Sequence, residues 1–147
     1  MIDEEARRRF ADARVARLAT VDVHGHPHLV PMVFVLVDET IYSAVDAKPK
    51  RSTALRRLEN VENNPSVTVL VDQYDEDWAA LWWVRADGTG RVLATARPEG
   101  RAAIAHLVER YPQYRRQAPV GPVLAIDVER WSSWSAGDRQ PPAATSG

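Results

Sequence analysis

Residues 15–45 hold three strand-like runs separated by short turn sequences, the middle one rich in valine, and no other stretch constrains the chain as strongly. Val15 to Val21 reads as a strand. Asp22-Val23-His24-Gly25 is turn chemistry, because glycine accepts positive φ. His28 to Val37 is nearly all apolar, which predicts one strand buried on both faces. Asp38-Glu39 then turns the chain into Thr40–Val45. Connections this short cannot hold a crossover helix, so they predict an antiparallel meander rather than a βαβ unit.

The remaining elements fit the same frame. Residues 3–13 pattern as a short amphipathic helix, with Ala6, Phe10 and Ala13 on one side and Asp3 as its cap. Ser52 to Asn63 is a second helix, with Ala54, Leu55, Leu58 and Val61 at helical spacing, stopped by Asn63-Asn64-Pro65. Val67 to Val71 is a fourth strand, followed by the acidic connection Asp72 to Asp77. Trp82 to Arg85 is a fifth, carried past Asp87-Gly88 to Val92 with a bulge at the glycines. Pro98 opens a third helix. Val123 to Val128 is a sixth strand, running on to Trp131-Ser132-Ser133-Trp134. From Ala136 the composition turns to Gly, Pro, Ser and Ala, which predicts a disordered tail over 136–147 after one domain over 1–135. Six strands and about three short helices predict a mainly β (α+β) fold, a small barrel whose closure removes exposed sheet edges.

Composition narrows the function. The net charge is −1 over 147 residues, which argues against a dedicated nucleic-acid binder. There is no cysteine, so disulfides, thiolate metal sites and cysteine nucleophiles are excluded. No apolar run approaches the ~18 residues of a membrane helix, and the charged N-terminus carries no signal-peptide core; the expected location is cytoplasmic. His24, His26 and His28 alternate, but Gly25 and Pro27 interrupt them in turn-like sequence, so they read as surface turn histidines and no metal site is expected. No G-x-G-x-x-G follows a strand, no P-loop occurs, and no nucleophile elbow surrounds Ser132 or Ser133. The acidic run at 72–77 lacks EF-hand spacing.

One loop stands out chemically. Of 19 basic residues only Lys48 and Lys50 are lysine, and both fall in Asp46-Ala47-Lys48-Pro49-Lys50-Arg51-Ser52, just ahead of the helix that carries Arg56 and Arg57. Unpaired N–H groups and partial positive charge at a helix start, joined by basic side chains, make a phosphate seat. All five tryptophans lie in the second half. Trp82 and Trp83 are adjacent, so on a strand they face opposite sides, and an outward indole needs cover from a subunit or a planar ligand.

Taken in order, Leu18-Ala19-Thr20-Val21-Asp22 with Gly25-His26-Pro27-His28, Leu29-Val30-Pro31-Met32-Val33-Phe34, Lys48-Pro49-Lys50-Arg51-Ser52, Leu58-Glu59-Asn60-Val61 with Asn64-Pro65, Val69-Leu70-Val71-Asp72 and Asp75-Glu76-Asp77-Trp78 with Leu81-Trp82-Trp83-Val84-Arg85 resemble the pyridoxamine-5′-phosphate-oxidase-like split β-barrel family, in particular its branch that uses coenzyme F-420, a deazaflavin. The resemblance implies a six-stranded antiparallel split barrel of the FMN-binding type and a homodimer with two cofactor sites at the subunit interface. It places Lys48, Lys50, Arg51, Ser52, Arg56 and Arg57 on the cofactor phosphate and Pro31, Met32 and Val33 along its ring. Trp82 or Trp83, and Trp131, are implied as cover. One departure matters: the strand ends in Arg130-Trp131-Ser132-Ser133-Trp134 rather than the arginine-rich substrate motif of true pyridoxamine-phosphate oxidases, which argues against pyridoxal phosphate synthesis.

The resulting expectation is a deazaflavin-dependent oxidoreductase acting on a small organic substrate, with no catalytic side chain identified. FMN in the same barrel, a cofactor carrier without turnover, and a heme-handling barrel using His24 or His28 are the alternatives.

Overall fold

The computed structural model describes residues 2–45 and 53–137. The chain opens with α1 (Glu4–Asp12). Asp3 caps it by accepting from the Ala6 N–H at 2.7 Å, Glu4 and Glu5 sit at its positive end, and Ala6 and Phe10 are buried. The strands β1 (Ala16–Val21) and β2 (Pro27–Met32) follow, then β3 (Val35–Val37) and β4 (Thr40–Ala44). The first turn is the expected one: Asp22 Oδ1 accepts from the His24 and His26 N–H groups, each at 2.9 Å, and Gly25 takes φ +83°. The helix α2 (Thr53–Asn63) leads to β5 (Ser66–Gln73), a single 3₁₀ turn (Trp78–Ala80) and the long β6 (Trp82–Leu93). Then come α3 (Pro98–Arg110), opened by its proline, α4 (Pro112–Arg116) and β7 (Val123–Ser135).

These strands form one antiparallel sheet of seven, in the order β2-β1-β5-β6-β7-β4-β3. Seven replaces the six expected because 28–37 is two strands, not one. Val33 and Phe34 leave the ladder between them, and their backbone groups are met by side chains. The Ser43 hydroxyl donates to the Val33 carbonyl at 2.8 Å, the Phe34 N–H donates to the Tyr111 hydroxyl at 3.1 Å, and Arg110 donates to the Phe34 carbonyl. The break frees β2 to pair with β1 and β3 to pair with β4, at opposite edges of the sheet. Two edges joined by two residues force the sheet to curl into a half-barrel. There are also four helices rather than about three, because Pro112 starts α4 directly after Tyr111 ends α3. The bulge expected near the glycines is present, as a register shift between β6 and β7 at Asp87/Gly88.

The concave side of the curl holds the main core: Phe10, Leu18, Phe34, Ile41, Val61, Val69, Val71, Val84 and Ile126. Both α1 and α2 put their apolar sides into it, and Asn60 of α2 donates to the buried Thr20 hydroxyl at 3.0 Å. A second cluster on the convex side joins Ala103, Leu107 and Tyr111 to Ala44, Leu93, Val123 and Ala125, so α3 covers the region of β4 and the start of β7. Among the described residues no helix is long and apolar enough to cross a membrane. The expected tail is described only at Ala136, whose N–H donates to the Leu81 carbonyl at 3.0 Å, and at Gly137; 138–147 lie outside the described residues.

Candidate functional site: the uncovered sheet face

Strand alternation leaves the convex side of β2, β1, β5 and the first half of β6 without a helix on it among the described residues. Register lines its side chains up in rows. One row runs Pro31, Arg17, Leu70, Arg85, Ser132 across five strands, and the next runs Leu29, Ala19, Thr68, Asp87, Arg130. Asp72, Trp83 and Trp134 make a third. Arg17, Ala19, Leu29, Thr68, Leu70, Asp72, Trp83 and Arg85 line a cavity of about 580 Å³ there. Ligand sites are typically ~300–1,000 Å³, mostly apolar, with a few placed polar groups, and this one fits that description.

Its polar groups form a loose network. Arg17 Nη1 lies 3.8 Å from Asp72 Oδ1. Asp87 accepts from Thr68 Oγ1 at 2.8 Å and Arg130 Nη2 at 3.2 Å, and lies 3.5 Å from Arg85 Nε as an ion pair without hydrogen-bond geometry. The Arg85 guanidinium stands over the Trp83 indole, 5.8 Å from its centroid, and Nη2 reaches Ser132 Oγ at 3.4 Å. The floor between the two arginines is Ala19, Leu29 and Leu70. No histidine lines the cavity: His24 and His26 are exposed in the first turn, His28 stands half-buried on β2, and His106 is exposed on α3.

The residues singled out from sequence divide between the two sides of the sheet. Pro31 and Trp83 stand on the uncovered face. Met32 is buried in the main core, and Val33 packs on the second cluster. Trp82 packs against the main core under the Arg9 guanidinium, 5.2 Å from its ring. Trp131 also faces inward, edge-on to Phe10 at 5.0 Å, with its Nε1 donating to Glu39 at 2.8 Å. Arg56 is exposed on α2. Arg57 is half-buried; burial pushes its pKa down while the Tyr114 phenol nearby pushes it back. Lys48, Lys50, Arg51 and Ser52 lie outside the described residues. Arg17, Ala19, Leu29, Thr68, Leu70 and Arg85 were not anticipated as site residues, and Asp72 was considered only as part of the acidic run at 72–77. Period-2 alternation alone puts Arg85 on the same face as Trp83, but only the strand order brings Arg17 beside them.

The fold and this face can now be set against known proteins. The sequence pattern of pyridoxamine 5′-phosphate oxidase matches residues 2–135. The chain belongs to the pyridoxamine 5′-phosphate oxidase family. No curated protein matches it. Among solved structures, the heme storage protein HutZ of Vibrio cholerae is 19% identical with a TM-score of 0.71, the match covering 92% of this chain and 95% of that one. A conserved hypothetical protein of Mycobacterium tuberculosis is 22% identical with a TM-score of 0.73, covering 100% and 93%. A FAD-binding protein of Mesorhizobium loti is 20% identical with a TM-score of 0.66, covering 90% and 94%. At these identities the likeness establishes the fold that this family member shares with them.

Proposed function

We propose that this member of the family is an oxidoreductase that binds coenzyme F-420, with FMN as the alternative cofactor, and transfers hydride to a small organic substrate on the uncovered sheet face. The observation that carries the reading is the cavity of about 580 Å³, with an apolar floor and Trp83 as an aromatic wall. A planar ring system is the kind of ligand such a surface accepts. When bound, a reduced deazaflavin supplies hydride from its ring, so the protein's task is binding and orientation.

The described residues suit a phosphate-bearing cofactor at one further point. Arg57 is half-buried on α2, and among the described residues no carboxylate lies within ion-pair distance of it. A half-buried guanidinium with no carboxylate beside it among the described residues gains from an arriving phosphate. Arg56 and the loop residues Lys48, Lys50, Arg51 and Ser52 would add to the same seat. Trp83 would stack on the ring system, with Pro31 on the same face of the sheet. A second copy of the chain would cover the face, since Leu29 is 67% exposed and Trp134 47% exposed there.

Fluorescence titration of the purified protein with coenzyme F-420 and with FMN tests this reading. Saturable binding of either below about 100 µM, roughly 5.5 kcal/mol, is the expected result, followed by oxidation of the reduced cofactor by an organic acceptor. If neither cofactor binds in that range, the reading fails. Tight binding without turnover over a broad acceptor panel makes the protein a carrier. A Soret band on heme addition, with no binding of either flavin-type cofactor, makes it a heme-handling protein.

A further inference from the structure

The uncovered face also carries information about what the cavity selects, and this rests on the reading of that face as the place where cofactor and substrate meet. Three guanidinium groups stand on it (Arg17, Arg85 and Arg130) against two carboxylates, Asp72 and Asp87. The face is therefore one positive charge in excess. Each carboxylate reaches its cavity arginine only as a long ion pair. Asp72 is 3.8 Å from Arg17, a long ion pair, and Asp87 is already engaged by Thr68 and Arg130.

Arg85 is the one of the three with a buried donor left without a hydrogen bond. Its Nε is out of contact with solvent and has no hydrogen-bond partner; Asp87 is at 3.5 Å and outside hydrogen-bond geometry. A buried N–H left unmade carries a desolvation cost. Nη2 has only the long contact to Ser132. Packing on Trp83 nevertheless holds the guanidinium in one orientation at the cavity wall. A planar guanidinium seated on Trp83, with Nη1 making no hydrogen bond among the described residues, Nη2 only a long one and an apolar floor beside it, matches a carboxylate attached to a flat apolar body.

We infer that the cavity selects a carboxylate borne on a planar apolar skeleton, with Arg85 as the specificity-determining group and Arg17, across Leu70 from it, as a second cationic contact. The skeleton would lie over Ala19, Leu29 and Leu70 with Trp83 at its edge, and the acid group would meet Arg85. A neutral analogue of the same shape fits the floor but leaves Arg85 as it stands now, so discrimination falls on one group.

The test is a matched pair of probes, 2-naphthoate and 2-naphthamide, titrated calorimetrically into the full chain with and without bound cofactor. The carboxylate should bind at least tenfold more tightly than the amide. Arg85→Gln should erase that ratio and Arg85→Lys keep part of it, with circular dichroism confirming that each variant is folded. Equal binding of the two probes by the wild type overturns the inference, as does an undiminished ratio in a folded Arg85→Gln protein. Should Arg85→Gln not fold, an undiminished ratio in the lysine variant, which lacks the fork, has the same force. The two readings fail separately. A carboxylate preference in a protein that binds neither F-420 nor FMN overturns only the cofactor assignment, and cofactor binding without the preference overturns only the selection by Arg85.

Discussion

The Tyr111 hydroxyl accepts the backbone N–H of Phe34 at 3.1 Å, joining the end of α3 to the two-residue link between the edge strands β2 and β3. Phe34 has no exposure to solvent, and its carbonyl is within 2.9 Å of the same hydroxyl. One phenol thus stands in for the strand partner that this backbone lacks. It also explains why the chain can leave one edge of the sheet and rejoin at the other.

Tyr111→Phe keeps the ring and its edge-on contact with Tyr114, 5.9 Å between centroids, but strands the Phe34 N–H in the core. The expected cost is about 1–3 kcal/mol, the penalty for an unmade buried hydrogen bond. Urea unfolding at fixed pH measures it. A loss below about 0.5 kcal/mol, the level of an ordinary surface substitution, would mean that Arg110 alone secures the link.

A second staple fixes the start of α3. Arg91 donates from Nε to Asp127 at 2.7 Å and from both terminal nitrogens to Glu99, while the Tyr42 hydroxyl donates to Glu99 at 2.7 Å. The bonds from Arg91, then from Tyr42, hold the Glu99 carboxyl down to about 2. Burial and the Glu99 carboxylate push Tyr42 up to about 12, so its proton stays on the phenol. A lowered carboxyl pKa contributes stability that is present above the unfolded value near 4.5 and lost as pH falls toward 2. Unfolding free energy should therefore drop across that window, and Glu99→Gln should flatten the drop while lowering stability at pH 7. An unchanged acid limb in the variant would assign the acid sensitivity to other carboxylates.

Gly90 shows how closely α2 seats on β6. A Cβ built there would stand 2.8 Å from Val61 Cγ1. Gly90→Ala should destabilise by about 1–3 kcal/mol through overpacking. Val61→Ala alone should cost about as much by opening a cavity. The double variant should recover at least about 1 kcal/mol relative to the sum, the mark of two residues in direct contact. Strict additivity in the cycle would show that the helix simply moves away.

Features set by neighbours in sequence were legible, and features set by partners far along the chain were not. Asp22 and Gly25 make their turn with groups at most four positions apart, and Pro98 opens α3 by its own geometry. The break at Val33-Phe34 is invisible locally, because an apolar run continues through it and its partners Tyr111 and Arg110 lie 77 and 76 positions away. The site follows the same division. The opposed facing of Trp82 and Trp83 follows from strand alternation, but which of them turns outward depends on the curl. Arg17 and Arg85 share a row only because β5 inserts Leu70 between them, a strand order that no local pattern specifies.

The half-buried Arg57 and the outward Trp83 separate two parts of cofactor binding. If Arg57 meets the phosphate, Arg57→Ala removes a charge-assisted bond and should weaken binding by about 1.5–3 kcal/mol, roughly 10- to 150-fold. That loss should shrink as salt rises, because an anion contact is screened. Trp83→Phe keeps an aromatic surface of smaller area, so it should weaken binding several-fold with little salt dependence. Trp131→Phe provides the contrast. It loses the hydrogen bond to Glu39 and part of the packing on Phe10 inside the core, so it should lower unfolding stability by about 1–2 kcal/mol without a specific effect on the cofactor. Fluorescence titration at two ionic strengths, paired with urea unfolding of each variant, resolves the three. Should Arg57→Ala bind as tightly as the wild type at low salt, the phosphate seat does not include α2.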